Sequence, residues 1–158
     1  MIVATPEEMA EFGARLAAEL RAGDLVLLNG ELGAGKTTLT RGIGDALGVR
    51  GAVTSPTFVL ARTHPRAEGA PLVHVDAYRL RSAMELDDLD IDFAGSIVIV
   101  EWGAGLTDGI TDDWLSIDIV RPHGGDADPE GAELVEPRDL TVTAHGGRWK
   151  EWADALSH

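Results

Sequence analysis

"GELGAGKT", residues 30–37, follows directly on the apolar run "LVLLN", residues 25–29. A short continuous apolar run ahead of glycine reads as a strand buried on both faces, as in a parallel sheet. "KTTLTRGIGDALGV" then reads as a helix. The spacing Gly30-x-x-x-x-Gly35-Lys36-Thr37 between them fits the phosphate-loop pattern. Each residue type has a physical reason. Glycines let successive backbone N–H groups turn inward toward an anion. The helix that starts near Lys36 adds the positive end of its dipole. Lys36 supplies a compact charge for the β- and γ-phosphates that an arginine fork would not replace. The Thr37 hydroxyl is a hard oxygen suited to Mg2+. The expected ATP-binding set is therefore Glu31, Leu32, Gly33, Ala34, Gly35, Lys36, Thr37 and Thr38.

The whole chain fits one domain spanning residues 1–158, with a core of ordinary size. Its hydrophobic share of 44% and charged share of 25% are those of a soluble globular protein. No apolar run reaches the length of a membrane span, and "MIVATPEEMAEF" lacks the basic start of a signal peptide, so the expected location is cytoplasmic. The absence of cysteine excludes disulfides and thiolate metal sites. A formal charge of −14 argues against unaided grip on a nucleic-acid backbone. Of the 13 basic residues only Lys36 and Lys150 are lysines. One of those two stands inside the glycine loop.

The remaining elements set the loop in context. "TPEEMAEFGARLAAELRAGD" predicts a helix capped by Thr5, with Pro6 at its first position and Glu8 closing a capping box. Met9, Phe12, Leu16 and Leu20 form its core face. "SIVIV" (residues 96–100) is a second buried strand, and "PLVHVDAYRL" (71–80) carries another. "TFVLART" (57–63) is one more, and the turn-rich "HPRAEGAP" makes a hairpin of these two. "AMELDDLDI" is a short acidic helical piece. "WLSIDIV" and "LTVTAH" alternate with period two, which predicts half-exposed antiparallel strands. The polar stretch between them is a long exposed loop, and "RWKEWADAL" a short final helix. The fold class is α/β: a phosphate-loop fold with a mostly parallel sheet, flanking helices and a C-terminal antiparallel extension.

A Mg2+-nucleotide site needs an acid at the end of a neighbouring strand. "SIVIVEW" supplies Glu101, the expected Mg2+ partner of Thr37. Asp76 in "HVDAYRL" ends another buried run, suited to positioning the attacking water or to binding Mg2+ through water. The alternatives are a strand-ending surface carboxylate for Glu101, and a helix cap or an ion pair with Arg79 or Arg81 for Asp76. His74 reads as a core histidine. Arg79 is a candidate for neutralising phosphate charge, or a salt-bridge partner. "TSPTF" (54–58) offers three hydroxyls and a stiffening proline, suited to a segment that senses the γ-phosphate.

Taken in order, "GELGAGKTT", "SPTF", "HVDAYRL" and "VIVEWG" resemble the TsaE (YjeE) family of bacterial phosphate-loop ATPases, over about residues 5–147. The resemblance implies an ATP- and Mg2+-dependent ATPase, weak alone, that supports formation of N6-threonylcarbamoyladenosine in tRNA. It implies action with TsaB and TsaD, in which TsaD carries out the transfer to tRNA and the ATPase keeps the assembly turning over. Ser55 and Thr57 would then lie in one switch and Asp76 in a second, with Thr37 and Glu101 as the Mg2+ pair and Trp102 near the site. The chain departs from the family in two places. Many members carry an acid soon after the tryptophan, whereas here none follows until Asp108. The acidic loop at 124–139 is also longer than is typical.

Two other functions compete. A small-molecule phosphate-loop kinase needs arginines on a lid over the phosphates. After Glu101 the chain offers only Arg121, Arg138 and Arg148, scattered through a loop and strands. A GTP-binding regulator would carry an Asn-Lys-x-Asp motif, and neither lysine stands in one.

Overall fold

A computed structural model describes residues 1–31, 34–49, 61–77, 83–87, 89–102, 110–120 and 137–156. Its centre is one seven-stranded sheet. In chain order the elements are β1 (Ile2–Val3), α1 (Pro6–Ala17), β2 (Leu25–Gly30), α2 (Lys36–Leu47), β3 (Ala61–His64), β4 (Leu72–Asp76), α3 (Ala83–Asp87), β5 (Ile97–Glu101), β6 (Trp114–Val120), β7 (Arg138–His145) and α4 (Lys150–Leu156). The spatial order is β1-β7-β6-β2-β5-β4-β3.

The four inner strands β6, β2, β5 and β4 run parallel to one another. The edges are antiparallel: β7 pairs with β6, β1 with β7, and β3 with β4 in the expected hairpin. One expectation is corrected. "WLSIDIV" is not a purely antiparallel strand, because β6 lies parallel to β2 on one side and antiparallel to β7 on the other. Its alternation has a different cause. Leu115, Ile117 and Ile119 point into the core, while the intervening side chains are only partly covered. Period two reports cover on one face, not strand direction.

The continuous apolar runs of β2 and β5 follow from burial on both faces. Val26, Leu28, Ile97 and Ile99 pack with α1, α2 and the Trp149 of the C-terminal segment. Leu25, Leu27, Val98 and Val100 pack with Leu86 of α3 on the opposite side. Leu72 shares the first face, and Val73 and Val75 share the second. By parity, His74, Asp76 and Glu101 all lie on the face that carries α2.

α1 begins as its sequence predicts. The Glu8 N–H donates to Thr5 Oγ1 at 3.0 Å, and the Glu8 carboxylate accepts from the Ala4 N–H, one residue before the cap. α1 and α2 cross at backbone contact. A Cβ on Gly42 would meet the Ala10 Cα at 2.8 Å. This glycine therefore fixes how closely the loop-bearing helix sits against its neighbour. The chain's end is tied back by Arg148, whose Nε and Nη2 donate to the two oxygens of buried Asp24 at 2.7 and 2.6 Å. A paired, hydrogen-bonded geometry is what makes a buried carboxylate tolerable.

Candidate nucleotide site

β2 ends at Gly30 and α2 begins at Lys36, so the glycine loop lies at the C-terminal end of the parallel strands. That end of an open α/β sheet is where ligands bind. The backbone is crowded there: a Cβ on Gly30 would meet the Ile119 carbonyl at 2.8 Å. Gly35 has φ +115°, a conformation that side chains rarely adopt, and it caps α2. The two helices differ sharply at their starts. α1 is capped by Thr5 and carries Glu7 and Glu8 in its first turn. α2 has no side-chain cap and no acid in its first turn. The first N–H groups of a helix have no carbonyl partner within it. Those of α2, residues 35–38, form an opening suited to an anion. The Ala34 N–H is already engaged, donating to the Glu31 carbonyl at 3.0 Å.

Lys36 is only 6% exposed. Its Nζ donates to the carbonyls of Gly30 at 2.6 Å and Glu31 at 2.9 Å. It also stands 4.5 Å from the centre of the Trp102 ring. Burial pulls the lysine pKa below its usual 10.5, and the charges of Glu101, Asp76 and Glu31 push it back up. Trp102 has φ +62°, an uncommon conformation for a residue with a side chain. It stands in a turn just past β5, and its N–H donates to the Leu28 carbonyl at 3.1 Å. The turn that brings the ring to Lys36 is thus anchored on the loop-bearing strand.

Asp76 and Glu101 are direct cross-strand neighbours in the parallel pair β4–β5, on the same face. Like charges in that position repel and call for a cation. Glu101 is 5% exposed, and its Oε2 lies 2.5 Å from His74 Nε2. A carboxylate oxygen accepts only, so Nε2 carries the hydrogen. The other ring nitrogen, Nδ1, is buried without a hydrogen-bond partner. A hydrogen there would be buried with no acceptor.

His74 is therefore more than the core histidine its sequence suggests. It is wholly buried, yet it fixes the rotamer of Glu101. The available signal was a polar residue inside a run buried on both faces, which requires a partner. The partner sits diagonally across the strand pair, since His74 is opposite Ile99 and Glu101 is two residues on.

The structure thus brings together Lys36, Asp76, Glu101 and Trp102, with Ala34 and Gly35 in the loop and partly buried Thr37 and Thr38 in the first turn of α2. Glu31 is exposed and contributes its carbonyl to the Lys36 ammonium. Leu32, Gly33, the segment 54–58, Arg79, Arg81, Asp108, Arg121 and residues 124–136 lie outside the described residues. Arg138 is not scattered. It starts β7, and its Nε donates to the Ala34 carbonyl at 2.9 Å.

The threonylcarbamoyl adenosine biosynthesis protein TsaE family model matches residues 3–126. The chain belongs to the TsaE family. A relative named tRNA threonylcarbamoyladenosine biosynthesis protein TsaE, from Streptomyces coelicolor, is 57% identical over 89% of this chain and 93% of its own. The Bacillus subtilis protein of the same name is 35% identical over 96% of this chain and 89% of its own. A crystal structure of Bacillus subtilis YdiB superposes with a TM-score of 0.75 at 31% identity, covering 99% of this chain and 92% of that one. For this TsaE family member the neighbour supports the phosphate-loop fold read from residues 25–47.

The residues present fit a magnesium ion in one way. Among the described residues, no three His, Asp or Glu side chains are grouped to hold a metal by themselves. The available donors are hard oxygens: the Thr37 hydroxyl and the carboxylates of Asp76 and Glu101. Mg2+ is commonly held by one or two carboxylates together with the phosphates of its substrate, and this set is of that kind.

Proposed function

We propose that this chain is an ATPase domain over residues 1–158 that binds Mg2+-ATP at residues 31–38 and hydrolyses it. We propose that it serves threonylcarbamoyladenosine modification of tRNA, in the cytoplasm, with TsaB and TsaD. The observation that carries the nucleotide reading is the uncapped start of α2, with Lys36 held over it and two carboxylates facing that lysine. The family membership carries the pathway.

In this reading Lys36 leaves the carbonyls of Gly30 and Glu31 for the β- and γ-phosphates, and the N–H groups of residues 35–38 hold the phosphate oxygens. Thr37 and Glu101 would hold Mg2+. His74 engages Glu101 Oε2, which would leave Oε1 for the ion. When bound, the ion would neutralise phosphate charge. Asp76 orients the attacking water by accepting one of its hydrogens.

Charge supports an indirect route to tRNA. With a net charge of −14, a direct binder would need a clustered basic face. Several of the described cations are instead engaged internally. Arg66 donates to the carbonyls of Leu47 and Ala70, Arg138 to Ala34, and Arg148 to Asp24. Among the described residues, no helix is long and apolar enough to cross a membrane.

We expect slow ATP hydrolysis by the chain alone, rising with TsaB–TsaD, and tighter retention of that pair with ATP than with ADP, because such coupling is reciprocal. Pull-down with ATP, ADP or no nucleotide, beside filter binding to bare tRNA, tests this. Equal retention in all three states would refute nucleotide control. Micromolar tRNA binding by the isolated chain at physiological salt would refute the indirect route.

A further inference from the structure

We infer that Arg138, on β7 and beyond the residues matched by the family model, is a positioning residue for the phosphate loop. The inference rests on the nucleotide reading above and adds to it a residue from the C-terminal hairpin.

The register places Arg138 at the right end of the molecule. Ile119 at the end of β6 is opposite both Gly30 of the loop strand and Leu140 of β7. Arg138 lies two residues before Leu140, so it stands level with the start of the glycine loop. Its backbone is held in the sheet by pairing with Val3 of β1. It shares the parity of Leu140, which packs on the face carrying α1 and α2. A long side chain on that face, starting there, reaches over the end of β6 to the loop. Its Nε donates to the Ala34 carbonyl at 2.9 Å.

That bond bears on the next peptide group. In a trans peptide the carbonyl and the following N–H point in opposite directions. Holding the Ala34 carbonyl toward Arg138 therefore turns the Gly35 N–H away from β7. The Gly35 N–H is the first of those that have no carbonyl partner within α2. Gly35 is at φ +115°, and glycine occupies several backbone regions with similar ease. The glycine that allows the turn also lets the 34–35 peptide rotate. Arg138 supplies the restraint from a different, rigid element.

The loop's other cation cannot do this. Lys36 holds the carbonyls of Gly30 and Glu31, and it must release them to reach phosphate. Arg138 holds a carbonyl on the outer side of the loop and has no such conflict. Its bond persists in the free and bound states and preorganises the N–H groups.

The test is calorimetry of ADP and Mg2+-ATP binding to the full chain carrying Arg138→Ala, Arg138→Gln or Arg138→Lys, with melting curves recorded without nucleotide. Loss of one charge-assisted bond and its preorganisation should weaken both nucleotides about ten-fold in the alanine and glutamine variants. The two nucleotides should be affected alike, because the N–H groups serve phosphates that they share. Lysine keeps a donor of similar reach and should recover part of the loss. Melting temperatures should stay within about 2 °C of wild type, since the side chain is partly exposed. Affinities within two-fold of wild type in the alanine and glutamine variants would overturn the inference while leaving the nucleotide reading intact. So would a loss that follows the melting temperature and is not recovered by lysine. Failure of the wild-type chain to bind either nucleotide would overturn both.

Discussion

Lys36→Ala is expected to weaken Mg2+-ATP binding by about 10²-fold or more, the scale of losing charge-assisted bonds to two phosphates. The reason lies in how the loop is built. Lys36 is nearly buried, and the groups around its ammonium are the Gly30 and Glu31 carbonyls, the Trp102 ring and the charges of Glu101 and Asp76. Removing the lysine leaves the carboxylates of Glu101 and Asp76 without the ammonium that their charges act on. Arg138 does not replace it, because its Nε is committed to Ala34 on the other side of the loop. Lys36→Arg should also fail, since a planar guanidinium does not fit a position shaped for a compact ammonium. Calorimetry with Mg2+-ATP checks both variants. Wild-type affinity in Lys36→Ala would remove the phosphate-loop assignment.

Glu101→Gln is expected to cut single-turnover hydrolysis by about 10²-fold while changing ATP affinity only a few-fold. The amide keeps the shape of the side chain, and its oxygen still accepts from His74 Nε2. The change removes the negative charge opposite Asp76, and with it the stronger oxygen ligand proposed for Mg2+. In the proposed site, binding rests on Lys36 and the N–H groups of residues 35–38, which the substitution leaves in place. Rapid-quench measurement with enzyme in excess reads the chemical step directly. An unchanged rate would reduce Glu101 to the end of a strand.

Much of this is legible in the sequence, because it is written in local chemistry. The run 25–29, the glycine spacing and the helix after Lys36 specify strand, loop and helix without reference to the rest of the chain. Glu101 and Asp76 were readable as polar residues that end buried runs. Strand order was not readable, because register depends on which surfaces meet. Alternation in β6 showed that one face is poorly covered, and it could not show that β6 lies parallel to β2. The same limit hid the two contacts that refine the site. His74 meets Glu101 only because β4 and β5 are adjacent in one register. Arg138 meets Ala34 only because β7 lies two strands from β2. Both are side chains whose partners are distant in sequence, and neither spacing nor periodicity carries that information.

The proposed role joins this site to tRNA modification through partners, and one measurement bears on it most directly. In a reconstituted reaction with TsaB–TsaD limiting, threonylcarbamoyladenosine formed per TsaD is counted as the chain is added. Wild-type chain with ATP should carry the count well past one per TsaD, while Lys36→Ala and Glu101→Gln should leave it where it stands without the chain. Equal counts with and without the chain, or equal support from wild type and both variants, would contradict an ATP-driven role in turnover.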